Sequence, residues 1–131
     1  MIDPSNLRFT RTHEWVRVKG KRVVVGITDY GQSQLSDVVG VELPEPDESH
    51  YDANEDLGVL ESTRKSSDFH APIAGTVVLV NAKLFSEPEL INSDPYGDGW
   101  LIEMKPDNLA DVHELMGIHE YEAKLPEDEE E

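Results

Sequence analysis

The 131-residue sequence has no cysteine, which excludes disulfides, thiolate nucleophiles and Cys-ligated metals, so any redox chemistry has to be imported. It is also short of cations: 11 Lys and Arg face 28 Asp and Glu, a formal net charge of -17. Such a chain repels phosphate backbones and anionic lipid headgroups, which argues against nucleic acid and membrane surfaces as partners. Basic faces of partner proteins are favoured instead, in a salt-sensitive way. No segment approaches the roughly 18 apolar residues of a spanning helix, and "MIDPSNLRFT" has no apolar signal core, so a soluble intracellular protein is expected. Aromatics are sparse at 7%, yet 37% hydrophobic residues spread along the chain suffice for a modest core in one domain. That domain is expected over residues 1–125, followed by an acidic, disordered tail over 126–131.

What is present reads mainly as β structure. In "EWVRVKGKRVVVGIT", β-branched runs on either side of Lys19-Gly20-Lys21 predict a hairpin. Thr28 is a plausible N-cap for a short inner helix in "TDYGQSQLSD". "DVVGVELP", "LGVLEST" and "DFHAPIAGTVVLVNAKL" follow as strands divided by turns and the acidic loop "EPDESHYDANED". A further strand is expected at Trp100 to Met104. Short strands with no helical period between them predict two antiparallel sheets packed as a flattened barrel or sandwich. Near the end, Asn108 can cap a C-terminal helix with Leu109, Val112, Leu115 and Met116 on one face and Gly117 as its stop.

Few residues suggest chemistry. His13, His50, His70, His113 and His119 show no spacing of a helical zinc motif, so no metal site is expected and they read as surface or satisfied side chains. "GDGW" reads as a turn, and Glu45, Asp47 and Glu48 as a solvated acidic loop. No G-x-S-x-G elbow supports a hydrolytic triad, and no catalytic residue is assigned. The remaining feature is "LESTRKSSDFHAP". Pairing Glu61 with Asp68, Ser62 with Ser67 and Thr63 with Ser66 predicts a hairpin whose two-residue tip is Arg64-Lys65. Exposed cations at a turn also protect a sheet from edge pairing, which is the plainer explanation for them.

Taken together, "THEW", "VGITDYGQSQLSDVVGVELP", "ES", "SDFHAPIAGTVVLVN" and "PELINSDPYGDGW" resemble, in order and interval over about residues 7 to 125, the H-protein family of the glycine cleavage system. The resemblance implies a lipoyl/biotinyl-type barrel-sandwich hybrid and a carrier with no activity of its own. It implies covalent lipoic acid on a hairpin-tip lysine, attached by a lipoate ligase or lipoyltransferase. The implied partners are a pyridoxal-phosphate glycine decarboxylase, a tetrahydrofolate-dependent aminomethyltransferase and dihydrolipoamide dehydrogenase. A monomer is expected, in the bacterial cytoplasm, or in the mitochondrial matrix for a mature eukaryotic form. Thr12, Glu14 and Asp68 match positions around the loaded arm, where a carboxylate can hold an ammonium. Trp15, Pro72, Gly75, Pro95, Tyr96 and Gly97 match as structural positions.

One departure stands out in this resemblance. The family pattern runs Glu-Ser-Val-Lys or Glu-Ser-Thr-Lys, whereas this chain reads Glu61-Ser62-Thr63-Arg64-Lys65. Arg64 occupies the lysine position, and its guanidinium is no substrate for amide formation. Lys65 is the candidate lipoyl-lysine one residue later. A shift of one residue turns a side chain to the other face within a strand, with less consequence at a tight tip. The alternatives are an unlipoylated paralogue acting as a binding or regulatory module, and a lipoyl carrier for another pathway.

Overall fold

A computed structural model describes residues 6–46 and 49–125; the acidic segment 126–131, with Asp47 and Glu48, lies outside the described residues. Among the described residues nine strands form two antiparallel sheets. The larger sheet orders β1 (Arg8–Phe9), β2 (Glu14–Lys19), β3 (Arg22–Ile27), β9 (Ile102–Pro106), β8 (Gly75–Val80) and β5 (His50–Tyr51). The smaller orders β4 (Val38–Glu42), β6 (Asp56–Ser62) and β7 (Ser66–His70). The expected flattened sandwich is the observed architecture, and the acidic loop contributes the short strand β5.

The unbroken apolar run of β3 follows from burial on both faces. Val23, Val25 and Ile27 join Leu60, Phe69 and Ile102 in the core between the sheets, while Val24 faces a second cluster with Leu7, Phe9, Trp15 and Tyr121. Lys19 pairs with Arg22, so the first hairpin turns on Gly20-Lys21, and Gly20 takes the positive φ (63°) that such a turn demands. In the second cluster Trp15 is fully buried and donates from Nε1 to Pro95 O at 3.0 Å, with Tyr96 tilted against its ring. Burying an aromatic of this size contributes about 1.5–3 kcal/mol. Gly26 makes room for it: a Cβ at residue 26 would lie 2.4 Å from the Trp15 ring.

The inner helix forms as expected: α1 (Asp29–Ser33) is capped by Thr28, whose Oγ1 accepts from Gly31 N. A four-residue helix, α2 (Leu90–Ser93), lies between β8 and β9. The strand expected at Trp100 starts at Ile102, because Leu101 N donates to Val25 O ahead of the regular ladder. The C-terminal helix is divided. Asn108 caps as expected, but the segment Leu109–Glu114 is a 3-10 helix. Met116 then exchanges two backbone hydrogen bonds with Phe9 (2.8 and 3.1 Å), and Gly117 opens α3 (Ile118–Ala123) where a stop was expected. The edge strand β1 captures the chain there, which ends one helix and starts another.

Candidate functional site

β6 and β7 pair Glu61 with Ser66, Leu60 with Ser67 and Val59 with Asp68, which corrects the expected register. Ser62 N donates to Lys65 O at 2.9 Å, so the two-residue tip is Thr63-Arg64 and Lys65 closes the hairpin opposite Ser62. Ser62 Oγ sets this. It accepts from Arg64 N (3.2 Å) and Lys65 N (3.0 Å) and donates to Lys65 O (2.8 Å), an arrangement in which a hydroxyl replaces a carbonyl in the turn. Thr63 N donates to Asp37 O at 2.9 Å, tying the tip to the chain before β4.

This closure separates the two cations. Both are exposed, but Lys65 lines a groove of about 250 Å³ and Arg64, at the outer tip position, does not. On the hairpin side Leu60, Ser67 and Asp68 line the groove with Lys65; opposite stand Thr12, His13, Tyr30 and Gln34. The structure therefore brings Thr12 and Asp68 into one groove with Lys65.

Glu14 sits behind Thr12, fully buried. Its Oε1 accepts from the hydroxyls of Thr10 and Thr12; its Oε2 accepts from His70 N at 2.9 Å and contacts His70 Nδ1 at 3.1 Å. His70 Nε2 lies 3.2 Å from Asp56 Oδ1. One carboxylate of β2 thus ties the two sheets together and reaches the groove through Thr12. Buried as it is, this side chain leaves neither oxygen without a partner.

His13, read from sequence as unremarkable, forms part of the groove wall. It has a left-handed backbone (φ 73°), its ring is tilted against Tyr30 with centroids 4.9 Å apart, and Nδ1 lies 2.7 Å from the Tyr121 hydroxyl. Burial lowers its pKa, with Glu14 opposing the shift. Burial likewise pushes the Tyr121 phenol up to about 12. The hydroxyl-rich hairpin flanks were a visible signal for the Ser62 turn; nothing in local sequence announced that Tyr121, 108 residues away, would bond His13. Among the other histidines, His50 bonds Asp107 at 2.7 Å, which raises its pKa. Among the described residues no group of three or more His, Asp or Glu is arranged to hold a metal ion.

The family model described as Glycine cleavage H-protein matches residues 7–128, which takes in every element from β1 to α3. The chain belongs to the glycine cleavage H-protein family. A glycine cleavage system H protein of Acinetobacter baumannii is 51% identical over 125 residues, covering 95% of this chain and 100% of that one. One from Geobacillus kaustophilus is 47% identical over 127 residues, covering 97% and 99%. The crystal structure of a glycine cleavage system H protein from Mycobacterium marinum is similar with a TM-score of 0.84 at 37% identity, covering 93% of this chain and 98% of that one. Within this H-protein frame, the donor set at the hairpin fits a covalently attached lipoyl group at one residue. Lys65 offers an exposed primary amine beside a groove; Arg64 offers a guanidinium that forms no such amide.

Proposed function

We propose that this chain is the lipoyl carrier of the glycine cleavage system, with Lys65 as the acceptor lysine. The observation that carries the assignment is the placement of Lys65: it is the one lysine in the β6–β7 hairpin and it lines the groove with Thr12, His13 and Asp68. When bound, lipoate supplies the disulfide and dithiol chemistry that a chain without cysteine lacks.

The chain's own residues set the conditions. The Ser62 hydroxyl holds the backbone of residues 64 and 65 through three hydrogen bonds, so Lys65 stands at a defined position where the hairpin closes, exposed to a modifying enzyme. Leu60, Ile27 and Leu35 form the apolar floor of the groove, where an alkyl chain loses contact with water. Asp68 and the Thr12 hydroxyl stand at its polar side, suited to a cationic amine carried past Lys65. A tethered group of this kind raises its own effective concentration at each enzyme it visits.

The partners in this reading are the glycine decarboxylase, the aminomethyltransferase, dihydrolipoamide dehydrogenase and a lipoate ligase or lipoyltransferase. The protein would act as a carrier substrate, a monomer of the bacterial cytoplasm. Among the described residues no helix is long and apolar enough to cross a membrane. Reconstitution of glycine cleavage tests the assignment: the wild-type chain, modified by its own ligase, supports turnover, and Lys65→Arg, which keeps the charge and loses the amine, does not. Turnover with Lys65→Arg, or none with the wild type, would overturn it. The exposed Arg64 at the tip favours a second reading, a chain that keeps the fold as an unmodified binding module. Under that reading both proteins are equally inert in turnover and equally competent in binding.

A further inference from the structure

The Tyr121 hydroxyl lies where three parts of the fold meet. It is 2.8 Å from Thr28 Oγ1 and 2.7 Å from His13 Nδ1, so it joins α3 to the N-cap of α1 and to the segment before β2. Both of the elements it touches wall the groove, since Tyr30, Gly31 and Gln34 belong to or follow the start of α1 and His13 stands beside them. The two walls also press on each other: a Cβ at residue 31 would lie 3.1 Å from His13 Cβ.

The direction of the hydrogen bonds follows from burial. Thr28 is 0% exposed, and its Oγ1 already accepts from Gly31 N at 3.0 Å. Its own proton needs an acceptor inside the protein, and the Tyr121 oxygen is at bonding distance. Tyr121 then donates its proton to the remaining neighbour, His13 Nδ1. A neutral imidazole that accepts at Nδ1 carries its proton on Nε2. Burial, which disfavours the imidazolium, acts in the same sense.

We propose that Tyr121 is a positioning residue whose hydroxyl fixes His13 as an Nε2–H hydrogen-bond donor in the wall of the Lys65 groove and holds the α1 wall in place with it. The C-terminal helix thereby sets the polarity of the groove without lining it. The part of this inference that concerns a group carried on Lys65 rests on the reading of Lys65 given above. There, His13 presents a donor to acceptor atoms of that group, alongside the carboxylate of Asp68.

Phenylalanine at 121 is a clean probe, because the Tyr121 ring stacks on Phe9 with centroids 4.7 Å apart and planes 11° from parallel, a contact that needs no hydroxyl. Nitrogen-proton NMR of the imidazoles in the full, unmodified chain is expected to show His13 as a single Nε2–H tautomer. Tyr121→Phe is expected to mix the tautomers and to move the His13 titration upward, since the donor that favoured the neutral ring is gone. A wild-type Nδ1–H tautomer, or an unchanged tautomer in Tyr121→Phe, overturns the inference. If the variant fails to fold, the wild-type tautomer alone decides. In lipoylated protein, Tyr121→Phe is expected to lower turnover by the glycine decarboxylase several-fold with KM little changed. His13→Gln, which keeps an Nε2 donor, should retain more turnover than His13→Ala; equal turnover in all three variants and the wild type overturns the groove role. Absence of lipoate on Lys65 would sink the carrier reading and leave the imidazole result standing.

Discussion

At the scale of single residues, Glu14 is the most constrained polar group of the site. Three donors converge on it, two hydroxyls on one oxygen and a backbone N–H on the other, and the His70 ring contacts that second oxygen. Glu14→Gln sets an amide NH₂ against one of these donor sets, and an unsatisfied buried donor costs about 1–3 kcal/mol. Urea denaturation should show a loss of that size, with the two sheets loosened at His70. Its placement was only partly legible: "THEW" marked Glu14 as belonging to the site, while its burial behind Thr12 depends on β7, more than fifty residues on. His13 makes a second prediction at this scale. Its folded pKa lies below the ordinary 6.5, so on acidification the unfolded chain takes up the proton first. This contribution to stability is present above 6.5 and is lost as pH falls toward the folded value. His50, raised by Asp107, acts in the opposite sense, but at an exposed site where solvent screens the pair. Denaturation series from about pH 7 to about pH 5 should therefore show falling stability, with a shallower slope in His13→Gln.

At the scale of elements, the hairpin that carries Lys65 depends on a single hydroxyl. Ser62→Ala removes the acceptor for Arg64 N and Lys65 N and the donor to Lys65 O. Global stability should drop by only about 0.5–1.5 kcal/mol, the net worth of an ordinary hydrogen bond, because the tip is exposed. Amide exchange at residues 64 and 65 should accelerate much more, and hydrogen-exchange measurements will separate the two effects. The strands on either side were readable from their β-branched runs, as was α1 from Thr28. The register was not. Ser62, Thr63, Ser66 and Ser67 are small and polar, so hydrophobic alternation does not distinguish one pairing from the next, and capture by the Ser62 side chain decides. The C-terminal helix was misread for a related reason. Leu109, Val112, Leu115 and Met116 have helical spacing, but the backbone of Met116 is taken by Phe9, a long-range pairing with no local signature.

At the scale of the whole molecule, a net charge of -17 shapes every encounter. If the partner enzymes present basic faces, the association rate should fall as ionic strength rises from about 0.01 M to about 0.1 M, over which the Debye length shrinks from about 30 to about 10 Å. Stopped-flow binding to the glycine decarboxylase will read this directly, and a salt-independent rate would argue for apolar docking. The overall sandwich was the most legible level, because strand number, turn spacing and the absence of long helical periods all point to one architecture. What the whole molecule adds is the position of Lys65, turned into a groove by a hairpin that closes one residue earlier than its sequence suggested. Peptide mapping by mass spectrometry of the full chain, produced with its own lipoate ligase or lipoyltransferase, tests that claim most directly. A lipoyl increment is expected on Lys65 and on no other lysine; an unmodified Lys65 refutes the assignment.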